Sequence, residues 1–428
     1  MKLGMAEQDI TPEVGIFQGG YGFRDHGAEG VRDPLAVVAA VIEQGKRRIM
    51  LCSFDLVYVD ESLIRSARKS LSKMFGIAPG DMIFHATHTH SAPEPRQDSD
   101  KWNEKNTAYA KALLPALETA VGKAVAGMKA CTVSYIQDTA DFNVYRRRFK
   151  NGQMTMSPNY EVPVDKRVRG LVFTAKNGKR LGVIYTYNCH MNVCGDYEIS
   201  ADFAGWARAA IRRDLKCPSL YLQGCCGDVR PRMVNDDGTG FRRGTTEDVR
   251  DCGEQLAAAL VRGLKIKTKV IPALGCAGTR IILPLKPAPT VTRLRAIIKS
   301  GSSEKKWADI LLKHLRGGKK PITKQPYDMQ ALALGKGLVL LFLRGEVVSE
   351  YATLLEKCYP DLNLWCHGYS HADLNYIPTS HILAEGGYEA SSYMYTKKPV
   401  SGPYGAGLEK DIFAAAGKLI KAIHKQCS

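Results

Sequence analysis

Residues 83–91 read Ile-Phe-His-Ala-Thr-His-Thr-His-Ser, and the interpretation of the whole chain starts from this stretch. The apolar run that begins at Met82 predicts a β-strand, and the Ser-Ala-Pro that follows would end it. Side chains alternate between the two faces of a strand, so we expect His88 and His90 on one face and His85 on the other. Two imidazoles at a strand end suit a metal ligand with a neighbouring base, or a pair of ligands. The alternative is a solvated polar loop.

The composition is that of an ordinary globular protein. Of the 428 residues, 45% are hydrophobic and 24% are charged, which is enough apolar material for a sizeable core. No run of 18 apolar residues occurs, so no transmembrane helix is predicted. The N-terminus lacks an apolar signal segment, and the twelve cysteines form no regular framework. These features predict a cytoplasmic protein with reduced thiols.

The formal net charge is +17, which raises the question of a nucleic-acid partner. The lysine-rich stretch from Lys305 to Lys324 also carries Trp307, Leu311 and Leu315 at helical spacing. This spacing predicts an amphipathic surface helix with a basic outer face. No nucleic-acid-binding motif with recognisable spacing is present. We therefore predict no nucleic-acid partner, and a positive field that attracts a small anionic substrate.

Apolar runs alternate with helical patterns along the chain, which predicts an α/β fold. Two hairpins stand out, one over 35–56 and one around the Asn-Gly pair at 177–178. Helices are expected over about 60–75, 106–128, 202–215, 246–264, 290–316 and 408–425. No linker marks a domain boundary, so residues 1–428 are interpreted as a single domain.

Four of the predicted strands end in side chains that can bind a metal. They are His88 with His90, then His190, Glu346 and Tyr376. Zinc accepts histidine nitrogens and carboxylate oxygens, while tyrosine is a less usual ligand. Each residue has a structural alternative: His190 and Tyr376 could pack in a core, and Glu346 could stabilise the start of a helix.

The order of these motifs resembles the neutral, non-lysosomal ceramidases, over about residues 5–425. The resemblance rests on His-Thr-His-Ser, the lone histidine after a Tyr-Asn strand, Gly-Asp-Val-x-Pro, Gly-Glu-Val, and Tyr-x-Pro-Thr followed by Gly-Tyr-Glu. It implies mixed β-sheets packed face to face and flanked by helices, with a metal site at the strand ends. It also implies that the family's C-terminal immunoglobulin-like domain is absent from residues 1–428.

The same resemblance implies roles for individual residues. The zinc ligands would be His88, His190, Glu346 and Tyr376. His90 would be the second histidine beside the metal, where it could transfer a proton. Arg146 and Tyr388 would contact the reacting group and could stabilise an oxyanion.

One position departs from the resemblance. The ceramidases have Gly-Asp-Val-Ser-Pro where this chain has Arg230, two residues after Asp228. A guanidinium presents a planar fork that matches carboxylate or phosphate, so Arg230 and Asp228 are expected to contact a small anionic substrate. The alternative is that Arg230 turns outward or pairs with Asp228.

The sequence therefore predicts a zinc-dependent hydrolase that cleaves an amide (N-acyl) bond with metal-activated water. Because the same chemistry attacks other carbonyls, a lactone or ester substrate is an alternative, and so is ceramide itself. A non-enzymatic basic anion-binding module is the alternative from another class. Zn²⁺ is the expected cofactor. The sequence leaves the oligomeric state open.

Overall fold

The structure, a computed structural model, describes residues 1–94, 96–97, 99–372 and 374–427. Its β-strands are β1 (Lys2–Asp9), β2 (Gly30–Val31), β3 (Ala36–Gln44), β4 (Arg47–Phe54), β5 (Met82–Ala86), β6 (Lys129–Thr139), β7 (Asn143–Lys150), β8 (Gln153–Asn159), β9 (Arg167–Ala175), β10 (Arg180–Tyr187), β11 (Glu198–Ile199), β12 (Ser219–Gln223), β13 (Val229–Pro231), β14 (Thr268–Val270), β15 (Gly275–Pro284), β16 (Lys324–Gly335), β17 (Leu338–Arg344), β18 (Glu346–Val347), β19 (Asn363–Ser370) and β20 (Tyr376–Ile377). Its α-helices are α1 (Glu61–Phe75), α2 (Glu104–Ala126), α3 (Asp202–Leu215), α4 (Thr246–Gly263), α5 (Val291–Ser300), α6 (Lys305–Arg316), α7 (Glu350–Cys358), α8 (Ser380–Glu385) and α9 (Leu408–Cys427). Short 3₁₀ helices span Pro79–Asp81 and Ser392–Tyr395.

Thirteen strands form one mixed sheet in the order β12-β10-β9-β6-β1-β3-β4-β5-β19-β17-β16-β15, with β14 beside β6. The link between β1 and β6 is thin, because only two residue pairs join them. On either side of this link the sheet bends over, so that Leu222 of β12 shares a buried core with Val38 of β3 and Trp365 of β19. The predicted α/β architecture of sheets packed face to face is thereby confirmed, with the two layers belonging to one folded sheet.

Strand β3 shows why the central strands are apolar along their whole length. Val37 and Val41 point to a core shared with α1 and α2, whereas Val38 and Ala40 point to the core between the two sheet layers. A strand covered on both faces has no polar side, so its sequence is a continuous apolar run. Helices α3 and α4 cover the outer face of the other layer.

The helices flank the sheet, as predicted. In α6 the side chains of Trp307 and Leu311 are buried, while Lys305 and Lys313 lie on the exposed side. The basic stretch is thus the solvated face of an amphipathic helix. Among the helices of the described residues, none combines the length and the hydrophobicity needed to cross a bilayer.

Strand β5 is shorter than its sequence predicts. It runs parallel to β4 and ends at Ala86, and the φ of His88 is 66°, which is in the left-handed region. The prediction that strand alternation places His88 and His90 on one face is therefore wrong. The two histidines meet through an irregular turn, a conformation that non-glycine residues adopt only when their surroundings hold it.

Candidate metal centre

Three buried imidazoles converge at the end of the large sheet layer. The Nε2 atom of His88 lies 3.2 Å from Nε2 of His90 and 3.2 Å from Nε2 of His190. The ligand atoms of the three residues all lie within 4.8 Å of one another, so the group could hold a metal ion. His190 follows β10, as predicted, and the turn after β5 supplies the other two.

The other ring nitrogens distinguish these histidines from one another. Nδ1 of His88 lies 2.8 Å from the carbonyl oxygen of Val57, and Nδ1 of His190 lies 2.9 Å from that of Cys226. A carbonyl only accepts, so both Nδ1 atoms carry hydrogen and each neutral ring presents a lone pair at Nε2. Within the described residues, Nδ1 of His90 is buried without a hydrogen-bond partner. Backbone contacts therefore fix the tautomers of His88 and His190, whereas that of His90 is free.

Glu346 adds a carboxylate to the same point. Its Oε2 atom lies 3.3 Å from Nε2 of His88 and 3.4 Å from Nε2 of His190. Burial, assisted by Arg146, lowers the pKa of His190 to about 4, so that ring is neutral near pH 7.

The site therefore brings acceptor atoms together around the carboxylate. Oε2 of Glu346 is buried with no hydrogen-bond partner among the described residues, and the Nε2 atoms of His88 and His190 face it. Such an arrangement is unfavourable unless a cation lies between the groups. Histidine nitrogens with one carboxylate oxygen form a donor set that zinc accepts. The residues present thus fit a divalent metal ion.

Tyr376 and Arg146 form the adjoining wall. The two-residue strands β18 and β20 pair in parallel, which places Tyr376 directly beside Glu346. Nη2 of Arg146 donates to the hydroxyl oxygen of Tyr376 over 2.9 Å. The ring of Tyr388 lies 5.3 Å from that of Tyr376, and the guanidinium carbon of Arg146 lies 5.7 Å from the Tyr388 ring centre. The predicted site residues from both ends of the chain are therefore brought together.

Asp228 and Arg230 do not pair with each other in the described part of the chain. The buried carboxylate of Asp228 accepts a 2.7 Å hydrogen bond from the backbone nitrogen of Ser349, where α7 begins, and burial raises its pKa to about 6. The Arg230 guanidinium carbon lies 4.2 Å from the ring centre of Phe241, and its Nε atom is buried. Among the described residues no ion pair involves Arg230. Tyr21, Arg146 and Tyr376 are close enough to influence its pKa.

Two elements of the site were missed at the sequence level. Arg24 is buried and donates to the carbonyl oxygen of His90 over 2.6 Å and to that of Gly19 over 2.7 Å. Gly20 has a φ of 85°, and a Cβ atom there would lie 2.7 Å from Cβ of His90. The Gly-Gly-Tyr-Gly run at 19–22 was the available signal, because glycine permits both the left-handed φ and this close approach. Glu389, which binds Arg146, follows Tyr388 in the Gly-Tyr-Glu motif.

His85 lies on the opposite side of the strand and has a structural role. Its Nδ1 atom lies 3.0 Å from Oγ of Ser370, and its Nε2 atom accepts from the backbone nitrogen of Gln223 over 2.7 Å. Replacing His85 with leucine leaves that buried N–H unpaired, so we expect the free energy of unfolding to fall by about 1–3 kcal/mol at pH 7.5. Urea denaturation measures this change. The metal content of the folded variant should equal that of the wild type.

The same variant should show a characteristic pH dependence. Burial holds the pKa of His85 well below its usual value, so the ring is neutral in the folded protein and protonates only after unfolding. Its stabilisation is therefore complete above ~6.5 and falls by about 1.4 kcal/mol per pH unit below that value. The difference in free energy of unfolding between wild type and His85→Leu should therefore become smaller as the pH falls from 7.5 to 5. A difference that stays constant over this range would contradict the structural role of His85.

Comparisons with known proteins identify the family and support the fold. A family model described as the N-terminal part of neutral/alkaline non-lysosomal ceramidase matches residues 1–231, more than half of the chain. The neutral ceramidase of Pseudomonas aeruginosa has a similar structure, with a TM-score of 0.73 and 17% sequence identity, over 99% of this chain and 74% of that chain. A ceramidase complexed with C2 has a TM-score of 0.72 and 16% identity, over the same shares of the two chains.

No curated protein sequence gives a significant match. At these identities the solved structures support the fold alone, whereas the family match rests on the sequence. The three histidines that converge in the site all lie within the matched residues. The chain therefore belongs to the neutral/alkaline non-lysosomal ceramidase family.

Proposed function

We propose that the protein is a zinc-dependent hydrolase that cleaves the amide bond of an N-acyl substrate. The observation that carries this proposal is the convergence of His88, His190 and Glu346, whose carboxylate oxygen Oε2 is buried without a hydrogen-bond partner among the described residues. Membership of the ceramidase family supports a hydrolase of amide bonds. Zinc, when bound, supplies a Lewis acid that lowers the pKa of water toward ~7.

We assign His88, His190, Glu346 and Tyr376 as the residues that hold the metal. Metal-bound histidines characteristically donate their second ring nitrogen to a backbone carbonyl or carboxylate. His88 and His190 have this contact, whereas the Nδ1 atom of His90 has none among the described residues. His90 is therefore better suited to accept and return a proton next to the metal, because its ring can change tautomer.

The remaining residues would act on the substrate carbonyl. Arg146 directs its Nε atom at Glu389 and its Nη2 atom at Tyr376, so its hydrogen bonds hold the wall of the site. Tyr388 keeps 42% of its surface exposed, and a tyrosine hydroxyl stays protonated at neutral pH because its ordinary pKa is about 10. Its hydroxyl is thus a donor at neutral pH that can reach a substrate and stabilise a developing oxyanion.

A direct test is to measure metal content and turnover together. Purified protein would be analysed for zinc, then assayed against N-acyl amino acids, N-acyl amines, lactones, simple esters and ceramide. We expect about one zinc per chain and fastest turnover of an N-acyl compound that carries a carboxylate or phosphate. Protein that binds no metal would instead support an anion-binding module, and fastest turnover of a lactone or ester would reassign the bond that is cleaved.

The anionic substrate is proposed from Arg230. Its guanidinium is half-buried against Phe241 and forms no ion pair among the described residues, so an incoming carboxylate could pair with it. We expect Arg230→Ser to raise KM for the anionic substrate about tenfold, because charge-assisted contacts contribute roughly 1.5–3 kcal/mol. Steady-state kinetics with matched charged and neutral acyl compounds measures this effect, which should be absent for the neutral one.

Arg232→Ser is the matched control for this experiment. Arg232 is two residues away and pairs with Asp141 on the surface, at an N–O distance of 3.4 Å. The same substitution there should leave KM for both compounds unchanged. If Arg230→Ser raises KM equally for the neutral compound, the residue supports the shape of the site rather than the charge of the substrate.

A further inference from the structure

Glu389 is a buried acid that binds two adjacent arginines. It is 2% exposed, its Oε1 atom accepts a 2.9 Å hydrogen bond from Nε of Arg146, and its Oε2 atom accepts from Nη1 of Arg147. The residue lies in the segment that follows α8, immediately after Tyr388. The carboxylate of Glu389 thus pairs with guanidinium groups at two neighbouring positions of β7, and Arg147 pairs with Glu385 as well.

The contact with Arg146 restricts that side chain. Arg146 is 2% exposed and reaches Tyr376 through Nη2, over 2.9 Å. A guanidinium is planar, so an acceptor fixed at Nε also fixes the plane in which the Nη2 hydrogens lie. Arginine has donors only, which means that the tyrosine oxygen must be the acceptor in this contact. The direction in which that oxygen presents its other lone pair therefore depends on Glu389.

Tyr376 in turn lies next to the proposed metal position. Its Cα atom is the register partner of that of Glu346, whose carboxylate faces His88 and His190. Hydrogen bonds thus connect Glu389 through Arg146 to Tyr376, and strand pairing places Tyr376 beside Glu346 of the metal centre. Groups that orient a metal ligand from behind commonly change metal affinity by 10–100-fold when they are removed.

We propose that Glu389 is a positioning residue, which holds Arg146 so that the hydroxyl oxygen of Tyr376 is directed at the metal. This inference rests on the proposed function, because it requires Tyr376 to bind the metal. Among the described residues the Glu389 carboxylate bonds to Arg146 and Arg147 and not to the histidines, so its effect on the metal centre is transmitted through Arg146. Metal affinity is the quantity that reports this effect most directly.

The test is zinc affinity, measured by competition with a chelator on the folded full-length chain. We expect Glu389→Gln to weaken zinc binding by about 10–100-fold. Glu385→Gln is the matched control. Oε2 of Glu385 accepts a 3.0 Å hydrogen bond from Nη2 of Arg147, the arginine that does not bind Tyr376. That variant should bind zinc as the wild type does. Glu389→Asp keeps the charge but shortens the side chain, and it serves if Glu389→Gln fails to fold.

The double variant Glu389→Gln/Tyr376→Phe separates positioning from a general structural role. If Glu389 acts through Tyr376, the double variant should bind zinc no more weakly than Tyr376→Phe alone. Additive losses, or unchanged affinity in both folded Glu389 variants, would overturn the inference. Unchanged affinity in Tyr376→Phe would instead refute the proposed ligand set, so the two failures are distinguishable.

Discussion

Replacing His88 or His190 with alanine is expected to abolish stoichiometric zinc binding and to reduce hydrolysis to background. Each substitution removes one of the proposed ligands, and the remaining groups cannot complete a tetrahedral site. The fold should persist, because the lost side chain leaves one buried carbonyl without its partner, at Val57 or at Cys226. That costs about 1–3 kcal/mol, less than the usual stability of a folded domain.

Elemental analysis of purified variants, with circular dichroism to confirm folding, measures the outcome. His26→Ala is the matched control, since His26 is 51% exposed and its ring contacts Asp25 and Glu29 at the surface. This variant should retain zinc and activity. Full zinc occupancy in folded His88→Ala or His190→Ala would show that the residue is not a ligand.

A second large effect is expected at His90. His90→Ala should keep its zinc but lose activity by about 10²–10⁴-fold, the range that a positioned acid or base contributes. The reason is that no contact among the described residues fixes the tautomer of His90, so its Nε2 atom, beside the proposed metal position, can take up a proton and return it. Zinc stoichiometry and kcat, determined on the same preparation, measure the two properties separately.

Loss of zinc from His90→Ala would also be informative, because the three histidines lie so close together. Nε2 of His90 lies 3.2 Å from Nε2 of His88, close enough for His90 to share the same metal. Loss of zinc from folded His90→Ala would make it a ligand, and one of the four assigned ligands would then be wrong. Tyr376→Phe would be the first variant to examine in that case, because tyrosine is the least usual member of the set.

The apolar pattern predicted most of the secondary structure, because central strands and amphipathic helices impose a local periodicity. The helix over 60–75 and the hairpin of β3 and β4 are examples in which a short range of residues carries the whole signal. The folding of one sheet into two layers could not be predicted from a local pattern. This folding depends on a buried core that distant residues such as Leu222 and Trp365 share.

The histidines and Glu346 could be proposed from sequence because their side chains have few other reasons to follow apolar strands. The turn at His88 could not, since its left-handed φ depends on packing against β10 and β19 neighbours such as the Tyr369 ring, 4.1 Å from that of His88. Glu389 was missed for a related reason. An isolated glutamate is ordinarily a surface residue, and only the tertiary structure shows that this one is buried between two arginines.

The distance along the chain between the two sides of the site affects how the protein is made. His190 precedes Glu346 by 156 residues. At a synthesis rate of about 5–20 residues per second, the ribosome needs roughly 8–30 s to pass from one to the other. During that interval the nascent chain carries its three histidines without the carboxylate or the tyrosine. We therefore expect the proposed metal to be loaded late in biosynthesis, after the strands that bear Glu346 and Tyr376 have joined the fold.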